Sequence, residues 1–233
     1  MCPGEKMATD CGLARMQVEA ASQPLELISL HVPKAFGTSL REVLVRKYGP
    51  ERVAVDYEVS IETCSEQERL KRPSLAPTVA IVHGHFPAIR YADVPARRRV
   101  TFLRDPVART ISHFFFWQVE PRHGNALHDR LLDERLGLIE FAKLPAIRRF
   151  YSDIVFGGCD MQSFDLVGVV EDLNRDWPRF QRLIGIDTTL PHLNRNRYPG
   201  YSEIAARVMA DPGLIRELRR ILAEDIMFYA RFL

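Results

Sequence analysis

Apolar residues in this chain fall into short runs of strand length, separated by polar stretches and by segments with helical spacing. LELISLHV (25–32), TVAIVHGHF (78–86), RVTFLR (99–104) and FDLVGVVE (164–171) are runs of the length that predicts buried strands. The first is followed by PKAFGTS and then by SLREVLVRKYG, whose apolar period predicts a helix stopped by Gly49 and Pro50. RVTFLR runs into Asp105 and Pro106, a plausible N-cap and first helical residue for VARTISHFFFWQ. Residues 127–156 read as two or three helical stretches broken at Gly137 and Pro145, and DLNRDWPRFQRLIG as a further helix. From Asp211, DPGLIRELRRILAEDIMFYARFL reads as one long amphipathic helix. Residues 1–23 carry neither period, which predicts a loose tail ahead of a single domain over 24–233.

Strands alternating with helices predict an α/β fold, a P-loop-like three-layer arrangement with a mainly parallel central sheet flanked by helices. In such folds ligands bind beyond the carboxyl ends of the strands. With 233 residues, 46% hydrophobic and 27% charged, the chain has the composition of a globular protein and not of a disordered or fibrous one. A formal charge of +2 argues against a general nucleic-acid partner, so any anion site is local. Only five of the 32 cations are lysines, and one of these, Lys34, lies in the glycine-containing loop. No window approaches a membrane span, and the N-terminal stretch lacks the apolar core of a signal peptide; the chain reads as cytoplasmic. Cys2, Cys11, Cys64 and Cys159 fall in no metal-binding or redox pattern, and no metal is expected.

Two strand ends carry groups suited to anions. PKAFGTS puts Lys34, Gly37, Thr38 and Ser39 at the start of a helix, where backbone N–H groups and the helix dipole favour negative charge. This is not the nucleotide-kinase loop GxxxxGK[ST], because the lysine precedes the glycine; a turn with Pro and Gly also forms there without a ligand. FLRDPVARTIS sets Arg104 at a strand end and Ser112 about two turns into a helix, both within reach of a phosphate, although Arg104 also suits pairing with Asp105 or capping a carbonyl. Two such sites on neighbouring strand ends suggest a doubly phosphorylated ligand. In HGH, His83 and His85 project to one side of an extended chain, and an imidazole suits proton removal from a hydroxyl at neutral pH. The run Ala96 to Arg99 reads as a solvated face, with contact to a polyanionic acceptor as the alternative.

The succession LHVPKAFGTSL, HGHF, FLRDPVARTISHFFF, LVGVVEDLNR and HLNRNRYP resembles the sulfotransferase superfamily that uses 3'-phosphoadenosine 5'-phosphosulfate (PAPS). Within it, the carbohydrate branch of heparan sulfate and uronyl 2-O-sulfotransferases is the most similar, over roughly residues 25–232. The resemblance implies that Lys34, Ala35, Phe36, Gly37, Thr38 and Ser39 form the loop holding the 5'-phosphosulfate. It implies that Arg104 and Ser112 hold the 3'-phosphate, and that Asn196 contacts the cofactor. The family loop reads PKTGGTS or PKTASTS, so Ala35 and Phe36 depart from it, and Phe36 stands where close backbone approach or a positive φ favours a small residue. The same resemblance makes His85 the general base with His83 assisting, and Asn194, Arg195 and Arg197 candidates for acceptor binding. Trp117 of FFFW reads as core or as a platform for a sugar ring. His31 and His113 read as packing or hydrogen-bonding residues. The implied reaction is sulfuryl transfer from PAPS, without a metal, to a hydroxyl on a glycan or glycoconjugate. A P-loop kinase-like phosphotransferase and a catalytically silent PAPS- or glycan-binding protein are the alternatives.

Overall fold

A computed structural model describes residues 24–57, 60–189 and 198–233. The elements are, in order, β1 (Leu27–Leu30), α1 (Gly37–Tyr48), β2 (Val53–Asp56), α2 (Glu66–Leu70), β3 (Ile81–Gly84), β4 (Arg99–Leu103), α3 (Pro106–Trp117), α4 (Ala126–Asp133), α5 (Leu138–Lys143), α6 (Pro145–Arg148), β5 (Leu166–Val169), α7 (Leu173–Ile184), α8 (Tyr201–Met209), α9 (Pro212–Ile221) and α10 (Ala223–Tyr229). The strands form one parallel sheet in the order β2-β3-β1-β4-β5. This is the expected α/β arrangement, with the anion-loop strand β1 at its centre.

The strand period of two divides the sheet into two faces. Leu27, Ile81, Val100, Phe102 and Leu166 pack against Leu40, Val43 and Leu44 of α1 and Trp177 and Phe180 of α7. On the other face Ile28, Leu30, Val82, Leu103 and Val169 meet Phe150, Tyr151, Val155 and Tyr229. Beside the sheet, α3 buries Val107, Ile111 and Phe114 against Leu131, Phe141 and Leu218 of the helical segments. Asp105 caps α3 by accepting from the Ala108 N–H at 2.9 Å, and Asp211 caps α9 through Gly213 and Leu214, as the sequence suggested.

Besides α2 and α8, which form where no element was assigned, two features differ from the sequence reading. The long C-terminal helix breaks at Leu222 (φ −93°, ψ 17°) into α9 and α10. The break accompanies burial of Asp225, whose carboxylate accepts from the Tyr151 and Ser152 N–H groups at 2.9 Å each. The apolar period runs on through the break because both helices still bury one face. Secondly, an edge strand, β2, forms where no run was recognised. The expected tail, residues 1–23, lies outside the described residues.

The carboxyl end of β2 is tied down by a buried ion pair. Both oxygens of Asp56 accept from one Arg90 nitrogen, at 3.0 and 2.9 Å, and Asp56 also accepts from the Tyr91 hydroxyl at 3.0 Å. Arg90 completes its set by donating to the carbonyls of Glu68 and Arg69 in α2. Both charged side chains are 1% exposed, so removing one strands the other without water. Asp56→Ala is expected to cost about 3–5 kcal/mol in urea unfolding, and adding Arg90→Met to recover part of that loss.

Candidate active site

The loop between β1 and α1 holds an unusual backbone. Lys34 (φ 68°) and Phe36 (φ 70°) both adopt the left-handed conformation, which costs roughly 1–2 kcal/mol per non-glycine residue. The Phe36 ring leaves the loop for the core and lies edge-on to Phe102 at 5.5 Å and Trp177 at 5.8 Å. Its bulk therefore does not fill the loop's concave side. Phe36 takes up the positive φ that a small residue would otherwise serve, and aromatic packing holds it there. Among the described residues no side chain caps the N-terminus of α1, and its first turn contains no acid, so its leading N–H groups and dipole suit an anion.

Lys34 and Arg104 meet across β1 and β4. A guanidinium nitrogen of Arg104 donates to the Lys34 carbonyl at 3.2 Å, and the Lys34 ammonium sits 3.7 Å above the Phe116 ring of α3. Arg104 is held from behind: the Tyr151 hydroxyl accepts from its N–H at 3.2 Å and donates to its carbonyl at 2.8 Å. Of the two roles open to Arg104, the carbonyl contact is the one seen, and it joins the two expected anion sites. Ala35 and Ser39 are buried, Thr38 is exposed, and Ser112 is buried on α3. Asn194, Arg195, Asn196 and Arg197 lie outside the described residues.

The HGH histidines join a larger aromatic cluster. The parallel register pairs Ser29 of β1 with His83 of β3, and the Ser29 hydroxyl lies 2.9 Å from His83 Nδ1. His31, two residues after Ser29, stacks on His83 at 5.4 Å and approaches His85 at 4.3 Å. Tyr57, just past β2, packs its ring edge-on to His85 at 4.6 Å, and its hydroxyl lies 3.2 Å from His31 Nδ1. The Nε2 atoms of His83 and His85 are covered and have no hydrogen-bond partner among the described residues. A Cβ placed on Gly37 would fall inside the His31 ring, so the glycine of the loop exists to admit that imidazole.

Burial pushes His83 down to about 3, with the Arg41 charge adding to it, and the Gly37 backbone pulls weakly the other way. His85 falls to about 3 through burial, then His83, then Lys34. Burial, with His85, His83 and Lys34 behind it, also holds His31 well below its ordinary value. Burial therefore favours the neutral form of all three rings before any ligand arrives. Their lone pairs accept protons, and negative charge brought into the cradle would raise their affinity for one.

Two further placements bear on the sequence reading. Trp117 is in the core, 3% exposed, enclosed by His113, His128 and Phe141, and presents no face to a sugar. Sequence reasoning gave His31 a packing or hydrogen-bonding role, and both are seen; Ser29 and His31, at the end of β1, share the face of His83 and His85 at the end of β3. Sequence reasoning passed over Glu62, an acid whose side chain is buried, accepts from Ser60 and Asn125, lies 3.8 Å from His113, and has its pKa raised from the ordinary value by burial. Its segment, IETCS, carries no period or motif.

Residues 21–135, just under half of the chain, match the family model described as "Sulfotransferase family". The match supports the sulfotransferase superfamily for the part that carries the loop, the histidines and Arg104. No curated protein matches the chain. Among solved structures it is similar to mouse sulfotransferase SULT7A1 complexed with PAP, at 15% identity and a TM-score of 0.37. That similarity covers 80% of this chain and 63% of the mouse chain, so the chain spans less than two thirds of that relative.

The depressed histidines make stability fall with acid. Between pH 6.5 and about 3 the unfolded chain binds a proton at residue 83 that the folded chain does not, so stability is lost as the pH drops through that window, by about 1.4 kcal/mol per pH unit for one such group. Urea unfolding at pH 7 and pH 5 is expected to show a steep loss in the wild type and a shallower one in His83→Asn, which has no proton to take up.

Proposed function

We propose that the protein transfers a sulfuryl group from PAPS to an acceptor hydroxyl on a carbohydrate. The observation that carries this reading is the juxtaposition of an acid-free helix N-terminus beside Lys34 with two buried histidine Nε2 atoms, neither the helix end nor these atoms having a side-chain hydrogen-bond partner among the described residues. The match of residues 21–135 to the sulfotransferase family supports it. The donor set fits: backbone N–H groups, a lysine and an arginine are the groups that hold a phosphosulfate and a phosphate without displacing an acid.

PAPS supplies an activated sulfuryl group whose bond to the 5'-phosphate oxygen breaks as the acceptor oxygen attacks sulfur in line. The chain's own groups do the rest. His85 Nε2 takes the hydroxyl proton as the new O–S bond forms, and His83, fixed by Ser29, orients the pair. Lys34 lies at the loop to offset charge growing on the departing phosphate oxygen, and the α1 N–H groups preorganise the donor. Arg104, braced by Tyr151, holds the 3'-phosphate. Asn194, Arg195 and Arg197 bind anionic groups of the acceptor, and Asn196 the nucleotide, in this reading.

The test is calorimetric titration with 3'-phosphoadenosine 5'-phosphate (PAP), without added metal, into wild type, Lys34→Ala and Arg104→Ala. Binding by the wild type that weakens at least tenfold in both variants is expected. His85→Ala should then lose about 10²–10⁴ in kcat for transfer to a glycan acceptor while keeping its PAP affinity. A wild type that does not bind PAP overturns the reading.

A further inference from the structure

Resting on that reading, we propose that His31 is a third imidazole of the transfer site: its Nε2–H donates to an oxygen of the group being transferred, and Tyr57 is its positioning residue. His31 packs directly against the donor loop, beside His83, which the Gly37 backbone also reaches. Its Cγ, Cδ2 and Nε2 occupy the space where a Gly37 side chain would stand, directly against the first residue of α1. Its other nitrogen, Nδ1, is engaged by the Tyr57 hydroxyl at 3.2 Å. The ring is further held by stacking on His83 and by contact with His85, so its direction is set from three sides.

The tautomer follows from what faces each nitrogen. A neutral imidazole offers one N–H and one lone pair. A lone pair turned toward a bound anion is repelled, whereas an N–H is attracted, so an occupied cradle selects the form with hydrogen on Nε2. Nδ1 then carries the lone pair and needs a donor, and the Tyr57 O–H supplies it. Burial raises Tyr57 to about 12, which keeps that hydroxyl protonated throughout the neutral range. Tyr57 is 37% exposed and touches His31 and His85 together, so it stands where the histidine pocket opens to solvent. The division of labour is therefore by nitrogen: His85 accepts a proton, and His31 donates a hydrogen bond without giving its proton up.

This role can be separated from the donor-binding reading because PAP lacks the sulfuryl group. His31→Leu fills the space over Gly37 without a donor, and His31→Gln restores an N–H. His31→Leu is expected to lower kcat about 100-fold while PAP affinity changes less than threefold, and His31→Gln to regain at least tenfold of that loss. Tyr57→Phe is expected to give a smaller fall, about tenfold, again in kcat. Activity of His31→Leu within threefold of wild type overturns the proposal. So does a PAP affinity that falls in step with kcat, which is what a merely structural disturbance of the loop would produce, and so does a Gln variant no better than Leu. A wild type that fails to bind PAP would instead remove the donor reading itself, leaving the two failures distinct.

Discussion

The parallel register between β1 and β3, which sets Ser29 beside His83, is the constraint on which the rest of the site depends. Side chains on a strand alternate, so this one pairing places Leu27, Ser29 and His31 in line with Ile81, His83 and His85 on the face toward α1. The apolar members at the amino ends, Leu27 and Ile81, are locked into the core with α1 and α7. A slip of one residue in either strand would turn that strand's imidazoles to the opposite face, toward Phe150, Tyr151 and Tyr229, and part His31 from His83 and His85. The same packing that stabilises the sheet therefore aims the histidines at the loop. Gly37 completes the arrangement, because any larger residue would occupy the volume of the His31 ring.

Electrostatics follow from that geometry. Three imidazoles within a few ångströms of one another and near Lys34 cannot share much positive charge, and burial removes the water that would help them. They stay neutral, as hydrogen-bonding and proton-accepting groups. The cations are instead concentrated one strand over, where Arg104 reaches back to the Lys34 carbonyl. Neutral bases on one side of β1 and fixed positive charge on the other is the polarity that the proposed transfer requires: a proton is accepted on one side while negative charge is released on the other.

The sheet was legible in the sequence wherever a strand was buried on both faces. β1, β3, β4 and β5 all lie inside the apolar runs, because a fully buried strand has few polar positions to disguise it. β2 was not legible, since Val53–Asp56 is an edge strand of four residues with a mixed burial pattern and an acid at its end. The acid is there for Arg90, a partner 34 positions away that no local pattern announces. The loop, HGH and Arg104 were readable as chemistry because each sits at a strand end. His31 was read as a packing or hydrogen-bonding residue, which it is; its particular partners were not legible, because Gly37 and the Tyr57 beyond β2 meet it only in space. For Trp117 the sequence left core or sugar platform open, because a tryptophan in an aromatic run looks the same whether its ring faces solvent or, as here, His113 and Phe141.

Phe36 shows how a departure from a family pattern can preserve the pattern's purpose. A glycine at this position would adopt the positive φ freely, and in the unfolded chain it would have many other conformations to lose. Phenylalanine meets a conformational cost of roughly 1–2 kcal/mol on folding. Edge-on aromatic pairs contribute about 0.5–1.5 kcal/mol each beyond area burial, and Phe36 makes two, with Phe102 and Trp177. The two contributions are of the same size, so the left-handed turn is sustained by the core and not by the absence of a side chain. The ring also ties the loop to both β4 and α7, and so makes the cradle a rigid extension of the sheet. An anion site built on such a loop is preorganised before its ligand arrives, which is the condition under which fixed N–H dipoles stabilise developing charge without reorganising.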